Sequence, residues 1–248
     1  MKAIKITAHQ QTANYRVPNS FRFRESYPLP PYSTVIGMVH NLCGFNEYHP
    51  MHVSVQGKFT SSTVDMFTRY EFANKKYIPK EHALNADGTG IIRGPGNVQL
   101  LTGVDLLLHI MPDDPNELEQ IYQSLKYPRV FPSLGRHEDL IIFRKVEIVE
   151  LGIEKGSLLK NRNGLAAYIP QETDNVLKTI QAHTDSHQHG TRYLIRKNYR
   201  LTPVRNGSVR TWEMIPVTYT DNYVLTDEET VCELPENEGE AKMPVFFG

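Results

Sequence analysis

Cysteine is nearly absent from this 248-residue chain, which has only Cys43 and Cys232. Two thiols rule out a disulfide framework or a cysteine-rich zinc site, and a reducing compartment fits. Long apolar runs are missing too. No stretch approaches the ~20 residues that span a bilayer, and Met1-Lys2-Ala3-Ile4-Lys5-Ile6 reads as a strand rather than a secretory leader. The expectation is a soluble, cytoplasmic protein with no membrane partner. Internal repeats are absent, and so is low-complexity sequence apart from an acidic end. Apolar residues are plentiful, at 40% of the chain, which is enough to bury a sizeable core and excludes disorder of the whole.

Net charge is also nearly absent, at -1, but the sign is unevenly spread. From Asp221 onward there are eight acids against one base, Lys242. Taking these from the totals of 28 acidic and 27 basic residues leaves 20 and 26, a net of +6 for residues 1–220. A basic body with an acidic end can hold phosphate on one surface, and such a tail occurs equally on proteins that bind nothing.

Apolar alternation in residues 2–8 and in Phe21-Arg22-Phe23-Arg24 predicts strands, the phenylalanines pointing in and the arginines out. The turn Tyr27-Pro28-Leu29-Pro30-Pro31-Tyr32 is stiff, because proline fixes its own φ and restrains the residue before it. Ser33 or Thr34 then caps a helix to about Cys43, with Val35, Ile36, Val39 and Leu42 as its stripe and Gly44 as its stop. Residues 51–72 read as strands, and residues 74–97 as a projecting, glycine-punctuated hairpin or loop. Strands return at 98–101 and 104–111, a helix opens at Asp113-Asp114-Pro115 and runs to about Lys126, and a strand covers 140–148. Strand-helix-strand occurs twice in this order, the ferredoxin-like arrangement of RNA-recognition domains. Residues 152–220 add strands, including a hairpin of 193–201 with 209–219.

Several side chains offer chemistry. Arg22 and Arg24 beside Phe23, Lys58 beside Phe59, and Arg69, Lys75 and Lys76 among Tyr70, Phe72 and Tyr77 interleave cations with rings. Single-stranded RNA is held this way, cations meeting phosphates while bases stack on rings; a half-buried sheet with solvated arginines has the same pattern. The amides opening the first helix, around Tyr32, Ser33 and Thr34, can face an anion or only water. Arg136 follows Gly135, so it can fork a phosphate, or instead pair with Glu138 or Asp139. His183 and His187, with His189 and Asp185, have the spacing of a metal site, but their polar, glycine-ended setting reads as a loop. No metal or cofactor is expected.

Two segments carry a resemblance. Tyr27-Pro28-Leu29-Pro30-Pro31-Tyr32-Ser33-Thr34-Val35-Ile36-Gly37-Met38 is similar to the N-terminal signature of the CRISPR-associated Cas-five family, and Leu134-Gly135-Arg136-His137-Glu138-Asp139 resembles that family's Leu-Gly-Arg-x-x-Asp segment. The resemblance covers most of the first 150 residues, and the style of the motifs leans toward type I-B. It implies an α+β, ferredoxin-like (RAMP) core over residues 1–150 with an inserted thumb at about 74–100, and a β-rich extension over 151–248. It also implies a non-catalytic Cascade subunit that holds the 5′ handle of crRNA and docks the backbone and large subunits, with target DNA reached through the assembled complex. RNA contacts are then expected from Arg22, Arg24, Tyr32, Ser33, Thr34, His40, Lys58, Arg69, Lys75, Lys76, Gly135, Arg136 and His137, and from Arg93 in the thumb.

One subtype of the family cuts precursor RNA with a Tyr, Lys and His set, so a metal-independent endoribonuclease using His40, Tyr70, Lys75, Lys76 or His137 is the alternative. A free-standing RNA-binding module is a third reading. The proline turn argues against it, and so do Val245, Phe246 and Phe247, taken here as exposed material for a partner interface.

Overall fold

The alternation at the N-terminus makes a twelve-residue strand, β1 (Lys2–Ala13), whose Ile4, Ile6 and Ala8 are buried on one face while Lys5, Thr7 and His9 point to the other. The computed structural model describes residues 1–20, 23–154, 159–160, 164–171, 190–204, 207–222, 224–225, 230–234 and 242–248. After β1 come β2 (Phe23–Arg24), α1 (Tyr32–Cys43), β3 (Met51–Lys58), β4 (Ser61–Lys76), β5 (Leu84–Ala86) and β6 (Thr89–Pro112). A 3-10 turn (Pro115–Glu117) opens α2 (Leu118–Lys126), and β7 (Ile142–Glu154) follows. The remaining strands are β8 (Leu159–Lys160), β9 (Ala166–Pro170), β10 (Thr191–Val204), β11 (Gly207–Thr220), β12 (Val224–Leu225), β13 (Thr230–Glu233) and β14 (Met243–Pro244).

The central order β3-β6-β1-β7, antiparallel throughout, is the ferredoxin-like sheet. Both helices lie on one face, where Val35, Val39, Leu42, Ile121 and Leu125 meet Ile4, Ile6, Val53, Val55, Leu108 and Ile110. Full burial of each such side chain contributes about 1.5–3 kcal/mol. Later strands extend both edges of the same sheet, β9, β11 and β10 beyond β3, and β13 and β14 beyond β7.

Three expectations change. The residue before α1 is Pro31, and no side chain caps the helix. Ser33 and Thr34 sit inside its first turn, because the amides of Thr34 and Val35 already reach the Pro31 carbonyl. The projecting hairpin is longer than residues 74–100: β4 pairs with β6 from Ser61↔Thr102 out to Lys76↔Thr89, forming an arm to which β5 adds a short third strand near the tip. The end of the chain is also internal. Val245 and Phe247 pack with Ala3, Leu151 and Val231. Phe246 donates its N–H to Ser54 Oγ, and the Gly248 amide donates to the Val53 carbonyl. Pro244 lies over the sheet face opposite the helices, where Gln56 Nε2 donates to its carbonyl at 2.8 Å, and Phe247 then bridges Ser54 of β3. Burial of three large apolar side chains is the physical reason they are unavailable to a partner.

Candidate nucleic-acid interface

α1 presents its second residue, Ser33, and then Thr34 and Gly37 to a cleft of about 430 Å³, whose far side is the loop carrying Ser133 and Gly135. The two segments that stood 100 residues apart in the sequence therefore face one another. The loop is held by Asp139, which is buried. Its carboxylate accepts from the Asn14 and Arg136 amides at 3.0 and 2.9 Å and from Arg136 Nη2 at 2.6 Å. Gln10 Nε2 donates to the carbonyls of Leu134 and Asp139, and the Tyr15 hydroxyl donates to Gln10 Oε1.

Arg136 also pairs with Glu138 at 3.0 Å, and the bonds to Asp139 are the first cause of its raised pKa. Its fork is spent on the protein, so the ion pair forms where a free phosphate fork was expected. Gly135 has a φ of +110°, and a Cβ there would stand 2.9 Å from the Asn14 carbonyl oxygen. Its close approach is to the backbone of Asn14, just past the end of β1.

Two cations complete the first cleft, Arg16 and Arg196, and Trp212 closes it. The Arg196 guanidinium lies 4.5 Å from the centre of the Trp212 ring. Beside it, Arg24 stacks at 3.9 Å on Phe67 of the arm. Partial burial and then the like charges of Arg16, Arg136 and Arg69 lower the proton affinity of Arg24. Crowded guanidiniums repel one another, and an anion among them relieves that repulsion.

A second cleft, of about 500 Å³, continues along α1. It shares Ser33, Gly37 and Trp212 with the first and adds His40, Tyr48 and Tyr199. His40 and Tyr48 stack nearly parallel. His40 Nε2 accepts from the His49 amide at 3.0 Å and Nδ1 donates to the Ile36 carbonyl at 2.8 Å. Burial is the first cause of its lowered pKa, and both ring nitrogens are in hydrogen bonds.

Gly37, in the middle of α1, lines both clefts. A Cβ built there meets nothing within 4 Å. Glycine in a helix interior costs about 0.5–1 kcal/mol relative to alanine, and no packing among the described residues accounts for it. Open space over a bare backbone suits close approach by something outside the chain.

Of the other expected contacts, Tyr32 is fully buried and packs edge-on against Tyr168, so it is a core side chain out of reach of a surface ligand. Lys58 ends β3, opposite Asp105. Lys75 and Lys76 are exposed near the arm's tip, Arg93 is exposed opposite Tyr70, and Arg69 pairs with Glu71 at 3.1 Å. His137 is exposed on the Gly135 loop. Arg22 lies outside the described residues, as do His183, His187 and His189; among the described residues no His, Cys, Asp and Glu group could hold a metal ion. No helix among them is long and apolar enough to cross a membrane.

Arg16, Arg196 and Trp212 were missed. The signal for the last two was present, since Arg196 and Tyr199 pair with Met214 and Trp212 in the same cation-ring interleaving that singled out residues 22–77.

The fold and cleft define an α+β protein of the ferredoxin-like, RAMP type with a projecting arm and a basic, ring-lined groove on the helix side. The model of the family described as CRISPR-associated protein (Cas_Cas5) matches residues 4–211, and the chain belongs to that family. Among solved structures, one titled CRISPR RNA-guided surveillance complex is similar at 15% identity, with 90% of this chain and 91% of that one covered and a TM-score of 0.54. A CRISPR protein from Archaeoglobus fulgidus is similar at 11% identity over 100% of this chain and 99% of that one, with a TM-score of 0.46. No protein of curated function matches the sequence.

Proposed function

We propose that this chain is the non-catalytic subunit of a type I Cascade complex, I-B by the style of its motifs, that grips the 5′ handle of crRNA in the groove along α1. The carrying observation is Gly37, a helix-interior glycine facing open space where both motif segments, Arg16, Arg196 and Trp212 converge. In this reading Arg16, Arg24 and Arg196 meet phosphates, Ser33 and Thr34 donate to the backbone, and the arm folds over the first spacer nucleotide. The backbone and large subunits dock on the outer surface, target DNA is met through the assembled complex, and the site of action is the cytoplasm. Guide pairing then supplies sequence specificity while the protein reads backbone and shape.

The endoribonuclease reading gains no support from the geometry. His40 has no free nitrogen, Tyr70, Lys75 and Lys76 stand on the arm, and His137 stands on a separate loop. The test is to incubate the protein with its repeat RNA in EDTA on a denaturing gel, beside a band shift of the 5′ handle. Intact RNA and a shift lost in an Arg16→Ala, Arg196→Ala double variant are expected. Cleavage at one position overturns the non-catalytic assignment.

A further inference from the structure

Trp212 stands between two clefts of different character. Arg196 and Arg16 line the first and do not reach the second. The second is ring-lined: His40 and Tyr48 form one wall at 5.7 Å and 9°, and Tyr199 lies 5.1 Å from Trp212 on the other. Arg210 covers Tyr199, 4.6 Å from its centroid. Asn46, Glu47 and Asn198 add donors and acceptors to the lining, and Lys197 adds a cation. A volume of about 500 Å³ is within the range of small-ligand sites.

Phosphate chemistry on one side of Trp212 and stacking chemistry on the other match one nucleotide with its backbone extended and its base turned away. Gly37 floors both clefts, so the sugar joining phosphate to base crosses bare helix backbone. We propose that the second cleft is a base pocket, which takes one unpaired nucleobase of the bound RNA against Trp212 while the flanking phosphates lie in the first cleft. The assignment rests on the RNA reading above and adds to it which atoms of the RNA go where. The polar side chains of its lining, Asn46, Glu47 and Asn198, make the pocket selective for the base it receives, whereas the first cleft is indifferent to sequence.

Trp212 is the chain's single tryptophan, so its emission reports this position without any variant. The full-length protein is titrated with a synthetic single-stranded RNA carrying the repeat-derived 5′ segment, then with a series in which each nucleotide in turn lacks its base. Band shifts are run in parallel. The expected result is quenching of Trp212 that disappears for one abasic position only, with affinity at that position weakened about 5- to 150-fold, the range for one stacked base. Tyr48→Ala, on a half-exposed ring, is expected to weaken the same position and no other. A shift with unmoved emission, or equal quenching by every abasic RNA, overturns the base pocket and leaves the RNA reading standing. Absence of a shift with every oligonucleotide ends both.

Discussion

Replacing Gly37 separates a binding groove from an accident of helix sequence. The Cβ of Gly37→Ala enters space with no atom within 4 Å, so the methyl group meets no clash. Removing glycine from the sixth position of a twelve-residue helix should then stabilise the fold by about 0.5–1 kcal/mol. For a chain of this size that raises Tm by roughly 1–4 °C, read by calorimetry or circular dichroism. Gly37→Leu should keep that gain, since leucine is a good helix former and its branch points into the groove. The same branch occupies the volume where RNA meets the backbone, and a tenfold or greater loss of handle affinity is expected, about 1.4 kcal/mol or more. Stability that rises while binding falls cannot come from misfolding. A lower Tm in Gly37→Ala would show that the space is not open, and unchanged RNA affinity in Gly37→Leu would remove the groove from the binding site.

Asp139→Ala leaves the Asn14 and Arg136 amides and a guanidinium without their buried acceptor; a loss of about 3–5 kcal/mol is expected in urea unfolding, and a loss under 1 kcal/mol would mean that the loop is not held by this carboxylate. His109 is fully buried, 3.5 Å from Glu233, with Lys5 and Glu147 nearby, and burial is the main cause of its lowered pKa. From about pH 6.5 downward the unfolded chain takes up a proton that the folded chain resists, so Tm should fall across that window. Glu233 extends the loss below its ordinary 4.5: burial opposes its charge, but the Lys5 hydrogen bond at 2.7 Å and the nearby His109 ring hold its pKa down. His109→Gln should flatten the profile above pH 5, and an unchanged slope would acquit His109. On the arm, Met66 and Phe72 are 70% and 65% exposed, so changing both to serine should move stability by less than about 0.5 kcal/mol each. The same pair should reduce co-purification with the backbone subunit, and a large drop in Tm would instead show that this face is packed.

The elements that sequence revealed were those with local causes. Alternation marked β1, the apolar stripe and Gly44 bounded α1, and Asp114 with Pro115 marked the start of the second helical segment. Gly44 does end α1 in a left-handed conformation, φ 71°, with its amide on the Asn41 carbonyl. The length of the arm was hidden because Gly94, Pro95 and Gly96 imitate a loop, whereas Arg69↔Gly94 and Phe67↔Gly96 are ladder positions, the ring of Phe67 filling the space above Gly96. The fate of Phe246 and Phe247 was hidden for a different reason. Whether a terminal apolar residue is covered depends on contacts nearly 200 residues away, such as Phe246 with Ser54. At the site, sequence picked the segments that meet and missed the partner wall, because Arg196 and Trp212 come from a hairpin whose docking against α1 has no local signature.

That wall also bears on which surface the proposed RNA reading can use. A four-stranded RNA-recognition sheet ordinarily stacks bases on rings of its two central strands, on the face away from the helices. Here the corresponding side chains of β1 and β6 are Lys5, Thr7, His9, His109, Leu107 and Asp105, which include no phenylalanine, tyrosine or tryptophan. Much of the face is covered as well, with His109, Ser54 and Gln56 buried beneath β13 and residues 243–248. His9 and Arg144 both turn to Asp105, at 2.8 and 3.2 Å, so the open part is charge-paired within the chain. The rings and cations of the two clefts lie instead along α1, beside β10 and β11. On the proposed reading the ferredoxin-like core serves as a frame and the hairpin supplies the stacking surface, so Trp212, rather than any residue of the central strands, is the side chain on which RNA binding should turn.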